Sequence, residues 1–321
     1  MGTNLVAGQK QKPKFSVAIQ TDQYQKLINN TLGDPERSKR FVAAITSAVA
    51  VNPQLQECDA GTVLAGALLG ESLNLSPSPQ LGQYYLVPFR VAVKGPDGKK
   101  VWKTDEKGQK VKDEKGHWIA ETELKANFVI GYKGLLTLAI RTGQYADIDV
   151  MEIREGEYKG KDPKTGKPIF SFVEDDDARE DLPIIGYMAY FEFLNGFRKT
   201  LYWPRAKMMK HAAEYAPAFD AEKYDDVVNH RVPETDMWKY SSFWYKDFDG
   251  MAKKTMLRQL ITKWGLLSIE MQNAVSKDET VSSVENGSIV TVESVDEIVQ
   301  ASDVIHPEYE GTATQVDLDS L

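Results

Sequence analysis

The sequence predicts an α+β fold, an antiparallel β-sheet with packed helices, on three observations. Residues 34 to about 73 are punctuated as helices. The middle of the chain reads as strands separated by tight turns. No regular strand–helix–strand alternation connects them. With 321 residues, 42% hydrophobic and 27% charged, the chain has the apolar content of a packed core. That length suggests about two lobes. No apolar run approaches the roughly 20 residues of a membrane helix, so no membrane partner is expected. Met1 to Lys14 holds no apolar leader-like stretch. Cys58 is the sole cysteine, so an intrachain disulfide is impossible and a reducing, cytoplasmic setting is expected.

Residues 1–30 are expected to form a flexible arm, basic at its start through Lys10, Lys12 and Lys14. A core of residues 31–276 follows. Asp34-Pro35-Glu36 starts a helix: an N-cap, a proline at the first helical position and an acid in the first turn. The apolar stretch Phe41 to Val51 continues it until Asn52-Pro53. A second helix opens at Asp59 and runs through Val63, Leu64, Ala67 and Leu68 to about Leu73, with small residues suited to close packing. Together they make a helical N-terminal lobe to about residue 80. The segment 35–75 is the candidate subunit interface, with internal packing the alternative.

Gln83 to Val93 is rich in Tyr, Phe and Val, with Pro88 marking an edge or a bulge. Residues 91–121 read as an exposed hairpin insertion, with turn signals at Pro96-Asp97-Gly98, Lys107-Gly108 and Lys115-Gly116. A strand from Ala126 to Ile130 leads into a helix, Lys133 to Thr142, closed by Gly143. Strands are expected at Ala146 to Arg154, Ile169 to Val173 and Ile184 to Leu194. Asn195-Gly196 signals a two-residue type I′ hairpin, setting Glu192 opposite Lys199 and Phe193 opposite Arg198. Pro204 starts a helix, and Asp249 caps a last one, Gly250 to Trp264. From Lys277 onward there are eleven acids and one base, so residues 277–321 read as a disordered acidic tail. The overall charge of −8 therefore divides into −10 in the tail and +2 in the remainder.

Chemistry-bearing motifs are sparse. Gly160 to Lys167 has the wrong spacing for a phosphate loop, and Pro168 stands where a Mg²⁺-binding hydroxyl is needed. The acids at 174–181 could hold a metal for a nuclease, but a run of like charge reads better as a solvated loop. Histidines 117, 211, 230 and 306 lack metal-ligand spacing. No catalytic residue, cofactor or metal is expected. Basic surfaces remain: Lys253, Lys254 and Arg258 on the last helix, Arg205, Lys207 and Lys210 on the preceding one, and Arg198 and Lys199 at the hairpin. Tyr202, Trp203, Trp244 and Tyr245 are interleaved with them. Cations beside aromatic platforms suit sequence-neutral binding of a single strand. For one helix alone, an amphipathic core helix with a solvated basic edge explains the same pattern.

The blocks Asn52-Pro53-Gln54-Leu55-Gln56-Glu57-Cys58, Leu73-Asn74-Leu75-Ser76-Pro77 and Gln80-Leu81-Gly82-Gln83-Tyr84-Tyr85-Leu86-Val87-Pro88-Phe89 resemble the RecT family of phage and prophage recombinases. So do Phe128 to Leu135 with Arg141-Thr142-Gly143, Gly186 to Phe191, and Met251-Ala252-Lys253-Lys254-Thr255. The insertion at 91–121 and the acidic tail depart from that pattern. The resemblance implies ATP-independent binding of single-stranded DNA and annealing of complementary strands into duplex. It also implies assembly into rings or helical filaments, with an exonuclease and a host single-strand binding protein as partners. It adds Tyr132, Lys133 and Arg141 to the candidate DNA-binding residues. Replacing both Lys254 and Arg258 by Glu is then expected to abolish DNA binding in a folded protein. The alternatives are a metal-dependent nuclease using the 174–181 acids, or a scaffold acting through its tail.

Overall fold

The computed structural model describes residues 13–294, except 96, 106, 113–115, 117, 217–218, 241, 279 and 286–287. The arm expected over 1–30 is corrected from residue 15 onward, while residues 1–12 lie outside the described residues. Phe15–Ala18 (α1) and Asp22–Leu32 (α2) are helical, and Phe15, Ile19 and Ile28 are fully buried. Those apolar anchors, not the lysines before them, decide the segment. Pro35–Val51 (α3) begins as expected, with Asp34 Oδ1 accepting from the amides of Glu36 (2.8 Å) and Arg37 (3.3 Å). Ala60–Ser72 (α4) is capped in the same way by Asp59 and is buried along almost its whole length. The protein's own sheet covers α4, so internal packing accounts for that helix of the 35–75 segment.

Strands Tyr84–Ala92 (β1) and Thr122–Ile130 (β2) form an antiparallel pair across α4, with Tyr84 opposite Ile130. The glycines of α4 permit the approach: a Cβ at Gly70 would lie 2.4 Å from the Tyr84 ring. Pro88 pairs with Ala126 without a bulge, in a two-stranded sheet where every strand is an edge. Beyond Ala92 the insertion is a branched set of three hairpins, bridged Lys94 to Lys100, Thr104 to Lys110 and Lys112 to Trp118. Gly98, Gly108 and Gly116 take positive φ at the three turns. The branches are knitted by cyclic backbone bonds: Lys103 N to Ile119 O, Ile119 N to Val111 O, and Val111 N to Lys103 O.

Tyr132–Arg141 (α5) ends at Gly143, φ 65°. A three-stranded antiparallel sheet then forms from Tyr145–Arg154 (β3), Ile184–Phe193 and Arg198–Pro204, with Tyr158–Lys161 (β4), Pro168–Phe170 (β5) and Asp176–Glu180 (α6) in between. Ile184–Phe193 (β6) is the central strand and Arg198–Pro204 (β7) an edge. The hairpin register is corrected by one residue: Arg198 lies opposite Glu192, and Lys199 opposite Phe191. Phe193 N donates to Phe197 O at 2.8 Å, so the loop holds three residues, with only its Gly196 left-handed. Type I′ would need positive φ at Asn195 as well; instead Asn195 Oδ1 accepts the Phe197 amide at 3.0 Å.

β7 runs directly into Arg205–Tyr215 (α7). Short helices Tyr224–Val228 (α8) and Phe243–Lys246 (α9) precede the long Phe248–Trp264 (α10). Its cap is Asp247, whose Oδ1 accepts from Gly250 N at 2.8 Å, rather than the expected Asp249. α10 lies on the sheet face that carries Tyr187, Ala189 and Phe191, burying Ala252, Met256, Leu257, Leu260 and Ile261. Ile269–Lys277 (α11) follows, then a hairpin of Thr280–Glu285 (β8) and Ser288–Ser294 (β9). The disorder expected from 277 is thus corrected over this hairpin, which packs against α4 with Val284 buried; residues 295–321 lie outside the described residues. Among the described residues, no helix is long and apolar enough to cross a membrane.

Candidate nucleic-acid interface

α10 organises the cations, and the structure sorts them into bound and available heads. Lys253 Nζ lies 2.9 Å from Glu152 Oε1 on β3 and 5.6 Å from the Tyr132 ring centre. Burial acts to lower the Lys253 pKa, but the bond to Glu152 and its charge outweigh it and raise it. Lys254 Nζ and Arg258 Nη1 both reach Asp278 Oδ2, at 3.0 and 3.1 Å. The Asp278 side chain is only 2% exposed, and its Oδ1 also accepts the Ile130 amide at 2.9 Å. Lys254 and Arg258 therefore neutralise a buried carboxylate that ties α10 to β2. Both cations expected to meet phosphates are thus paired in this structure with an acid from the segment read as tail.

Arg205 is similarly engaged. It donates to Tyr187 Oη at 3.0 Å, lies 3.6 Å from Asp249, and stacks over Phe248 with its guanidinium 4.4 Å from the ring centre. Tyr187 Oη donates to Asp249 at 2.5 Å, and burial first, then that bond, raises the phenol's pKa. Asp249 is thus held by Tyr187, which explains why Asp247 caps the helix. Arg141 donates to the carbonyls of Leu73 and Asn74, both at 2.9 Å, closing the C-terminal end of α4. Arg198 pairs with Glu192 at 3.2 Å across the hairpin. Lys133 is exposed beside Gly82, and the strand entry meets α5 closely there: a Cβ at Gly134 would lie 2.1 Å from Gln83 O.

The remaining heads form one strip along β7 and α7. Lys199 Nζ stands 4.6 Å from the Trp264 ring centre, a contact that exists because the register turns Lys199 to the α10 face. Further along the same strand face, Lys207 Nζ lies 4.1 Å over Trp203, and Lys210 is exposed on the next turn. His211 packs edge-on against Trp203 at 5.3 Å. Burial lowers its pKa, Glu214 opposes that, and the charges of Lys207 and Arg258 add to the lowering. Trp264 is 37% exposed, whereas Trp203 and Trp244 are buried core. Neither Trp264 nor His211 is among the residues expected from the sequence to contact DNA: the pattern puts Trp264 on the apolar stripe of its helix and His211 on the polar face of the preceding one.

The acid run is dispersed. Asp175 caps α6 through the Ala178 amide at 3.0 Å, and Arg179 leaves the run to pair with fully buried Glu157 at 2.5 Å. Among the described residues, no three His, Cys, Asp or Glu side chains converge as a metal-ion site.

The model of the RecT family matches residues 39–292, which contain the whole strip. The uncharacterised protein YqaK of Bacillus subtilis (strain 168) is 32% identical over 246 residues, covering 76% of this chain and 66% of YqaK. Protein RecT of Escherichia coli (strain K12) is 25% identical over 246 residues, covering 75% of this chain and 71% of that protein. The chain thus spans about two thirds of the length of YqaK.

Proposed function

This chain belongs to the RecT family, and from that premise we propose that it binds single-stranded DNA and anneals complementary strands into duplex. The observation that carries the reading is the family match over the strip of Lys199, Trp264, Lys207, Lys210 and His211. Annealing requires no bond to be made or broken. It requires a surface that neutralises phosphates, leaves base edges outward and holds one strand until its partner has paired. Lysines supply the neutralisation, an exposed indole supplies a stacking platform, and base pairing supplies sequence recognition. Lys133 and Tyr132 extend the surface at the N-terminus of α5. Arg141, Arg205, Lys253, Lys254 and Arg258 act behind it, fixing the elements that present it.

The reaction needs no ATP, and the working form is a homo-oligomer, a ring or a helical filament, that keeps many such strips in line. An exonuclease that exposes single strands and a host single-strand binding protein are its partners. The test is direct: two complementary oligonucleotides, one end-labelled, are mixed at low salt with the protein, with and without Mg²⁺ and ATP. Accelerated pairing without ATP supports the reading. Pairing no faster than in buffer refutes it, and shortened strands would establish the nuclease instead.

A further inference from the structure

The insertion between β1 and β2 carries two tryptophans that belong to neither hydrophobic cluster of the protein. Trp118 is 46% exposed. Lys110 Nζ stands between the two indoles, 5.8 Å from the Trp102 ring centre and 5.9 Å from that of Trp118, and Lys112 Nζ lies 4.5 Å from Trp118. Such cation–ring contacts stabilise by little at exposed sites, so they do not account for leaving an indole in water. The scaffold beneath is stiff, because two closed cycles of backbone bonds join the hairpins, one through Lys103, Ile119 and Val111 and one through Val93, Glu121 and Val101. Charge on the insertion favours the lysines. Residues 93–121 hold eight Lys against six acids. Two of those acids are spent on their own turns: Asp97 Oδ1 accepts the Lys99 amide, and Asp105 Oδ1 accepts those of Lys107 and Gln109.

We propose that this insertion is a second contact for single-stranded nucleic acid, with bases stacking on Trp102 and Trp118 while Lys110 and Lys112 meet phosphates. Protein-docking patches deplete lysine around their aromatic anchors, whereas this one is ringed by it. The insertion leaves the β1–β2 ribbon at Ala92 and Thr122, the end away from Ile130 and α5, and shares no residue with the β7–α7 strip. It gives one subunit two places to hold the same strand. The inference rests on the annealing reading, and its test separates the two.

Full-length protein is titrated into fluorescent oligo(dT) across a salt series. Trp102→Ala with Trp118→Ala weakens binding about fivefold or more and leaves the salt slope unchanged, while Trp118→Phe with Trp102 intact retains most of the affinity. Lys110→Ala with Lys112→Ala lowers the log–log salt slope by about 1.4. A double tryptophan variant that binds like the wild type overturns the inference alone. Wild-type protein that fails to bind oligo(dT) overturns the annealing reading and the inference together. Independently of any variant, wild-type protein irradiated on 5-iododeoxyuridine oligonucleotide should yield adducts at Trp102 or Trp118; adducts mapping only elsewhere contradict the proposal.

Discussion

Replacing Asp278 by alanine tests the bond between the C-terminal hairpin and the body. The wild-type carboxylate is almost wholly buried and receives Lys254, Arg258 and the Ile130 amide. Alanine takes this carboxylate from Lys254, whose side chain is 13% exposed, and from Arg258, and leaves the Ile130 amide without it. Removing one member of a buried pair costs about 3–5 kcal/mol. Arg258, at 26% exposure, recovers some hydration, which places the expected loss near the lower end, about 3 kcal/mol. With a urea slope of about 2–3 kcal/mol per molar, the unfolding midpoint should fall by about 1–1.5 M. Asp278→Asn, which keeps an acceptor for Ile130, should fall by less. Circular dichroism at graded urea reads both. A midpoint unchanged by Asp278→Ala would falsify the claim that this carboxylate holds α10 to β2. The same geometry revises one expectation drawn from the sequence and sets where the tail is to be cut. Glutamate at both 254 and 258 would crowd Asp278 and unfold the region instead of leaving a folded protein without DNA binding. Deleting from residue 277 would remove Asp278 and the whole hairpin, so truncation belongs after Ser294.

Lys207→Ala with Lys210→Ala should leave the melting temperature unchanged but lower the log–log salt slope of single-strand binding by about 1.4, read by fluorescence anisotropy. Gly134→Ala should destabilise by roughly 3 kcal/mol or more in urea titration, because the new methyl would lie 2.1 Å from Gln83 O. The neutral form of His211 is favoured in the fold, so its contribution to stability is complete above the unfolded pKa of about 6.5 and is lost as pH falls through the lowered folded value. Thermal melts should therefore drop more between pH 7.5 and 5.5 for the wild type than for His211→Gln; equal drops refute the assignment. Truncation after Ser294 removes seven acids and no Lys or Arg, and should tighten DNA binding most at low salt, measured by gel shift.

Helix starts were legible because capping is local chemistry. Asp34 and Asp59 bond amides two and three residues ahead, and a sequence window contains everything involved. The last helix shows the limit: Asp247 and Asp249 are both suitable caps, and the choice falls to Tyr187, sixty-two residues away, which holds Asp249. The Asn-Gly hairpin was legible as a turn but not as a register, since that dipeptide fits loops of two or three residues. One residue of slip then decided that Lys199 meets Trp264. At the site, residue types were readable and their availability was not. Arg141, Arg205, Lys254 and Arg258 look alike on the page, and only long-range partners show that their charge is already committed. The tail misled for the same reason. Its acidic composition masks Asp278, one carboxylate among many, whose surroundings make it structural.

Asp278 also sets an order on synthesis. Its carboxylate meets an amide 148 residues earlier in the chain. At about 5–20 residues per second, the Ile130 amide waits roughly 7–30 seconds for that partner to be made. Lys254 and Arg258 are made 24 and 20 residues before it, so for about 1–5 seconds they lack the Asp278 carboxylate, and α10 is held by its apolar face, by Lys253 on Glu152 and by Asp249 on Tyr187. A chain released before Asp278 therefore carries α10 without its tie to the Ile130 amide of β2.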